Sequence, residues 1–165
     1  MTDILKNKSK NNFSVIHKFM FLEAPIEAVS AELIAWGESS WWPKDCLWKY
    51  IRQTDGEIRV GTQYLIKINK PSAADWTAQV TQLLPIRLIE RTFEKGMFKG
   101  FERITMEERA NGTRIDYELH FKIRGLLNIL MWPFLFRAQY VKTINKVLDA
   151  LKNYLLEQAK TKYQE

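Results

Sequence analysis

The run Phe98-KGFERITMEERANGTRIDYELHFKI-Arg124 decides the fold. Asn111-Gly112 stands near its centre, and both central residues of a type I′ turn need positive φ, which Asn and Gly tolerate. To either side, apolar and polar residues alternate with the period of two expected of a strand with one buried face. With the turn centred there, Ala110 faces Thr113, Met106 faces Tyr117, Ile104 faces Leu119 and Glu102 faces Phe121. The opposite face sets Arg103 against His120, Thr105 against Glu118 and Glu107 against Asp116. One side is apolar with Glu102 among its members and the other is charged, so turn chemistry and patterning agree on an antiparallel hairpin.

Upstream the pattern continues in shorter units, with strands predicted over Gly61 to Asn69, Trp76 to Leu84 and Leu88 to Lys95. Asp55-Gly56 is a second two-residue turn signal, following a strand that begins near Cys46. Its register turns Leu47, Ile51, Ile58, Val60 and Tyr64 inward and leaves Trp48 and Tyr50 outside unless a bulge near Gly61 intervenes. Near the start, Phe13 to Leu22 alternates with Phe13, Val15, His17, Phe19 and Phe21 on one face. Ala24-Pro25 then opens a short helix carrying Ile26, Val29, Leu33 and Ile34 as far as Gly37, the first of a short helical pair before a Trp-rich connection, Glu38 to Pro43. From Cys46 onward six strands follow one another with no helix between them, too closely for parallel crossovers, so the sheet is an antiparallel meander.

From Gly125 to about Lys160 the period changes to that of a helix. Leu130, Phe134, Val141, Ile144, Leu148, Leu151 and Leu155 form one stripe, flanked by Tyr140, Val147 and Tyr154, and Pro133 kinks or breaks the helix. A sheet with one apolar face and a helix with one apolar stripe must cover each other, which gives an α+β fold of seven antiparallel strands, two short helices after the first strand and a long C-terminal helix.

The chain of 165 residues is 46% hydrophobic and 13% aromatic with only 7 Gly and 5 Pro, as expected of one soluble domain over residues 13–160 behind a flexible segment, 1–12. A net charge of +6 raises nucleic acid as a partner, but the ends and the middle share that charge about equally, so no nucleic acid is expected. Cys46 is the single cysteine, expected small and buried, and no signal peptide is evident, which points to the cytoplasm. The longest apolar stretch, Leu126 to Phe136, is 11 residues, short of a membrane span.

Val60-Gly61-Thr62, Asn111-Gly112-Thr113-Arg114-Ile115, and the run from Gly125 to Pro133 leading to Leu148-Asp-Ala-Leu151-Lys152 and Glu157, in this order of elements, resemble the SRPBCC or START-like superfamily, most closely its polyketide cyclase/dehydrase-like branch. The resemblance covers about residues 13–158 and implies a helix-grip fold with an interior pocket for a hydrophobic ligand. Members of that superfamily bind lipids, sterols, polyketides or quinones, and some are cyclases, aromatases or chaperone co-factors. They share no common catalytic residue that could be carried over.

The residues themselves suggest a site. His17 among aromatic neighbours and Glu102 beside Ile104 and Met106 are inward polar groups, suited to orient a ligand or move a proton, or else simply satisfied in place. Arg137, one turn after Phe134 and before Val141, is placed to hold a ligand anion or pair with Glu102, or to snorkel to water. The ligand wall is expected from Phe19, Tyr64, Trp76, Ile104, Tyr117, Leu119, Phe134, Tyr140 and Val141. His17 inside and His120 outside make no metal site, and without a Gly-rich phosphate loop, paired cysteines or a nucleophile elbow no cofactor is expected. The expected function is a carrier for a small hydrophobic molecule of lipid, polyketide or quinone type. The alternatives are a cyclase or dehydratase using His17 or Glu102 as acid or base, and an interaction module such as a chaperone co-factor. Leu126 to Phe136 would serve a transient membrane contact or gate, or a buried helix lead-in.

Overall fold

Residues 13–69, 75–131, 133–134 and 137–162 are described by the computed structural model of the chain; the N-terminal segment 1–12, for which flexibility is predicted, lies outside them. The two longest strands are those of the central hairpin, β6 (Phe98–Arg109) and β7 (Gly112–Ile123). Arg109 pairs with Gly112, so the turn residues are Ala110 and Asn111, one position earlier than predicted. Met106 therefore stands opposite Ile115, Ile104 opposite Tyr117 and Glu102 opposite Leu119. Each partner moves by two residues, and because side chains alternate with period two every residue keeps its predicted face. Charge explains the choice: this register sets Arg103 opposite Glu118 and Glu107 opposite Arg114, where the predicted one opposed Glu107 to Asp116.

The full sheet has seven strands in the order β1-β7-β6-β5-β4-β3-β2, all antiparallel, with β1 (Ser14–Leu22), β2 (Trp48–Arg52), β3 (Gln63–Ile68), β4 (Trp76–Leu84) and β5 (Leu88–Lys95) completing it. Two local expectations are corrected. In β1, Ile16 and Leu22 are buried while His17, Phe19 and Phe21 are exposed, the reverse of the predicted phase. Both frames of this strand carry apolar residues, so pairing with β7 decides: Ile16 meets Leu119 on the inner face, and His17 meets Glu118 on the outer. The tight Asp55-Gly56 hairpin is replaced by a loop over 53–62, and β2 pairs with β3 through Trp48–Ile68 and Tyr50–Ile66, which turns both aromatic rings inward.

After β1, α1 (Ile26–Ile34) starts behind Pro25 and buries Ile26, Val29 and Leu33. Turns over 35–45, where the second short helix is predicted, carry the chain to β2. The C-terminal helix is divided into α2 (Leu126–Met131) and α3 (Arg137–Lys162); Pro133 and Phe134 between them lie in a wider π turn, which accommodates a proline that has no N–H for the i→i−4 ladder. α3 buries Tyr140, Ile144, Val147, Leu148, Leu151 and Leu155 in the core shared with the sheet. Leu130 and Phe134, predicted to head that stripe, lie before α3 and are exposed.

Candidate functional site

Ile89, Arg91 and Phe93 alternate along β5 onto the buried side of the sheet, so strand geometry carries the guanidinium of Arg91 into the core. Opposite it on β6 is Glu102. Arg91 is 0% and Glu102 1% exposed, and Arg91 Nη1 donates to Glu102 Oε1 at 3.1 Å. The other terminal nitrogen donates to the carbonyl of Leu33 at 3.1 Å, placing a cation on the last turn of α1, where the helix dipole favours one. Glu102 Oε2 accepts from the Tyr117 hydroxyl at 3.1 Å and Oε1 from Tyr50 at 3.4 Å, while the Tyr117 and Tyr140 hydroxyls lie 2.7 Å apart. Strands β2, β5, β6, β7 and helix α3 thus each contribute to one buried polar cluster. A carboxylate removed from water costs several kcal/mol unless it is paired and hydrogen-bonded, and here a cation and two phenols meet that need.

Burial pushes the Tyr50, Tyr117 and Tyr140 phenols well above their ordinary value; for Tyr50 and Tyr140 the charge of Glu102 is the next contribution, and for Tyr117 the neighbouring Tyr140 and then Glu102. At neutral pH these groups are therefore hydrogen-bond donors and not phenolate bases. Arg91 Nε and Tyr64 Oη are buried donors with no hydrogen-bond partner among the described residues, while the buried Trp36 indole N–H is directed at the Tyr50 hydroxyl. Aromatic rings surround the cluster: Trp36 stacks on Tyr117 at 6.3 Å between centroids, Trp48 on Tyr140 at 4.9 Å, and Tyr50 meets Tyr64 edge-on at 5.7 Å.

Of the residues singled out in the sequence, Tyr64, Trp76, Glu102, Ile104, Tyr117, Leu119 and Tyr140 are all buried in this core. The others are not. His17 lies on the outer face with Nε2 3.0 Å from Asp116 Oδ1, and Phe19 is exposed beneath the Arg114 guanidinium at 5.3 Å. Phe134 is exposed, Arg137 is half-buried, and Glu102 takes Arg91 as its cation in place of Arg137. Val141 lines a cleft of about 790 Å³ with Pro43, Ala138 and Lys146 along the side of α3, away from the cluster. Arg91 and Tyr50 are the members that the sequence reading left out of the site; the alternation Ile89, Arg91, Phe93 was the available signal for the first. Cys46 is buried, and that burial raises its thiol pKa.

No protein-family model matches the chain, and no curated protein matches it in sequence. Solved structures do. Norcoclaurine synthase of Thalictrum flavum superposes with a TM-score of 0.66 at 11% identity, over 89% of this chain and 96% of its own. A polyketide-cyclase-like protein of Corynebacterium glutamicum matches with a TM-score of 0.55 at 16% identity, over 89% and 94% of the two chains. The chain has the helix-grip fold. A further helix-grip neighbour, from Thermus thermophilus, matches with a TM-score of 0.68 at 12% identity, over 87% of this chain and 98% of its own. At such identities the likeness carries the helix-grip architecture alone.

Proposed function

We propose that this helix-grip protein is a binding or carrier protein for one small, ring-bearing apolar molecule of quinone, polyketide or lipid type, held between sheet and α3. An oxygen of that ligand is taken by the donors around the Arg91–Glu102 pair. The observation that carries this reading is the pair of buried, unpartnered donors, Arg91 Nε and Tyr64 Oη, in an aromatic interior. A buried donor left unpaired costs about 1–3 kcal/mol, and an acceptor oxygen on a ligand recovers that cost. The Thalictrum flavum neighbour, solved with a transition state analogue, supports small-molecule binding by the same fold. A cyclase or dehydratase using His17 has no geometric support, because that ring faces outward.

Titration with 1,4-naphthoquinone, read by quenching of tryptophan fluorescence, tests the proposal. Saturable quenching is expected, weakened about tenfold in Tyr64→Phe, the loss of one hydrogen bond. The same substitution removes an unpaired buried hydroxyl and is expected to raise the stability of the free protein by about 1 kcal/mol in thermal unfolding. Quenching that never saturates, or that Tyr64→Phe and Glu102→Gln leave unchanged, would overturn the reading.

A further inference from the structure

The described residues 126–131 and 133–134 differ from the surface elsewhere. Leu126 (84%), Leu127 (71%), Ile129 (53%), Leu130 (64%) and Phe134 (78%) are all exposed, whereas the other large exposed apolar residues described come at most in pairs, Phe19 with Phe21 on β1 and Leu84 with Ile86 at the β4–β5 turn, or singly, as Val60 does. Single exposed apolar side chains are ordinary; a contiguous group marks a surface that meets something. At about 100° per residue, Ile129, Leu126, Leu130 and Leu127 span roughly 160° of the α2 circumference. Asn128 takes the opposite side and donates to the Arg124 carbonyl at 2.8 Å. α2 has six residues, and no helix among the described residues is long and apolar enough to cross a membrane, so this surface can lie on a bilayer but not span it.

Charge identifies the partner. From Leu119 to Leu148 the sequence has no Asp or Glu, while Lys122, Arg124, Arg137, Lys142 and Lys146 fall in the same stretch. Lys146 is paired with Asp45; the rest are not drawn into ion pairs among the described residues. The β5–β6 turn brings Lys95 alongside, because the Arg124 amide bonds the Met97 carbonyl at 2.8 Å and its guanidinium bonds the Glu94 carbonyl at 2.9 Å. Lys99 stands opposite Lys122. Glu94 is the acidic neighbour set against this group. A second copy of the chain, docking the same face on itself about a two-fold axis, would bring these like charges together. An anionic lipid surface meets both the leucines and the cations.

We propose that residues 126–131 and 133–134 dock the protein on an anionic bilayer, with the α2 leucines, Ile129 and Phe134 at headgroup depth and Lys95, Lys122, Arg124 and Arg137 over the phosphates. This goes beyond ligand binding and holds whether or not the interior site is filled. The test is flotation with vesicles of phosphatidylcholine alone and of phosphatidylcholine mixed with phosphatidylglycerol. Binding is expected to the mixed vesicles, to weaken as salt is raised, and to fall at least about tenfold in the double variant Leu127→Ser/Leu130→Ser. Those side chains are exposed, so its thermal midpoint should stay that of the parent, and Phe19→Ser on the outer sheet face should bind as the parent does. Failure to float with the mixed vesicles, flotation that survives the double substitution, or a dimer in light scattering that the same substitutions dissociate would each overturn the proposal.

Discussion

Ile86 holds a φ of 59° in the β4–β5 turn, a conformation that a β-branched residue adopts only under strain. Its neighbours explain it. Pro85 precedes it and the Arg87 amide closes the turn on the Leu84 carbonyl at 3.0 Å, the arrangement in which the third position of a type II turn favours glycine. The Ile86 amide also donates to Ser30 Oγ at 3.0 Å, which ties the turn to α1. Ile86→Gly keeps that bond and removes the strain, so it is expected to stabilise the protein by about 1 kcal/mol in denaturant unfolding. A loss of stability would show that the Ile86 side chain contributes more by packing than its backbone costs. Arg91 illustrates the limit of reading single residues. Its phase with Ile89 and Phe93 was visible, but an arginine is so seldom fully buried that an inward position is discounted until its partner is known. Glu102, by contrast, was found because the hairpin fixed its face independently.

Among the elements, β6 and β7 approach each other closely at Gly100. A Cβ there would lie 1.9 Å from the His120 carbonyl oxygen, and the residue has a φ of 152°. Gly100→Ala is therefore expected to cost about 3 kcal/mol or more, since the clash is with strand backbone that cannot yield without breaking the ladder. Gly56, with a φ of 84° and nothing within 4 Å of where a methyl would stand, is the control: Gly56→Ala should cost only about 1 kcal/mol. Comparable midpoints for the two variants in urea would show that the hairpin relaxes around Gly100. The sequence specified these strands well wherever one frame was apolar and the other charged, as in β6 and β7. It failed in β1, because Ile16, Met20 and Leu22 compete with Val15, Phe19 and Phe21, and only the pairing of His17 with Glu118 and the bond to Asp116 settle the matter. The head of the C-terminal stripe failed for another reason: the apolar spacing carries on through Pro133, while the wider π turn at 133–134 shifts the phase between α2 and α3.

Over the whole molecule, the buried tyrosines link stability to alkaline pH. Tyr50, Tyr117 and Tyr140 have folded-state pKa values well above the ordinary phenol value, so above about pH 10 the unfolded chain loses protons that the folded one keeps. Their contribution is complete below that pH and is lost as pH rises beyond it, by up to about 4 kcal/mol per pH unit when all three act together. The phenolate absorbance of these three tyrosines is expected to lag well above pH 10 and then to rise in step with the loss of circular dichroism. Ionisation of Tyr50, Tyr117 and Tyr140 near the ordinary phenol value with the fold intact would contradict the burial of the cluster. The global topology was readable because turn signals, alternation and a helical period each occupied a separate part of the chain. The polar centre was readable only in part, since it is assembled from five elements far apart in sequence. The stacked rings that close over this centre also set a timescale. A molecule that reaches Glu102 between these rings must part Trp48 from Tyr140 or Trp36 from Tyr117, so its arrival by that route is governed by concerted ring rotation and not by encounter. Association should then level off at a first-order rate as ligand concentration rises, and a molecule once admitted should leave slowly.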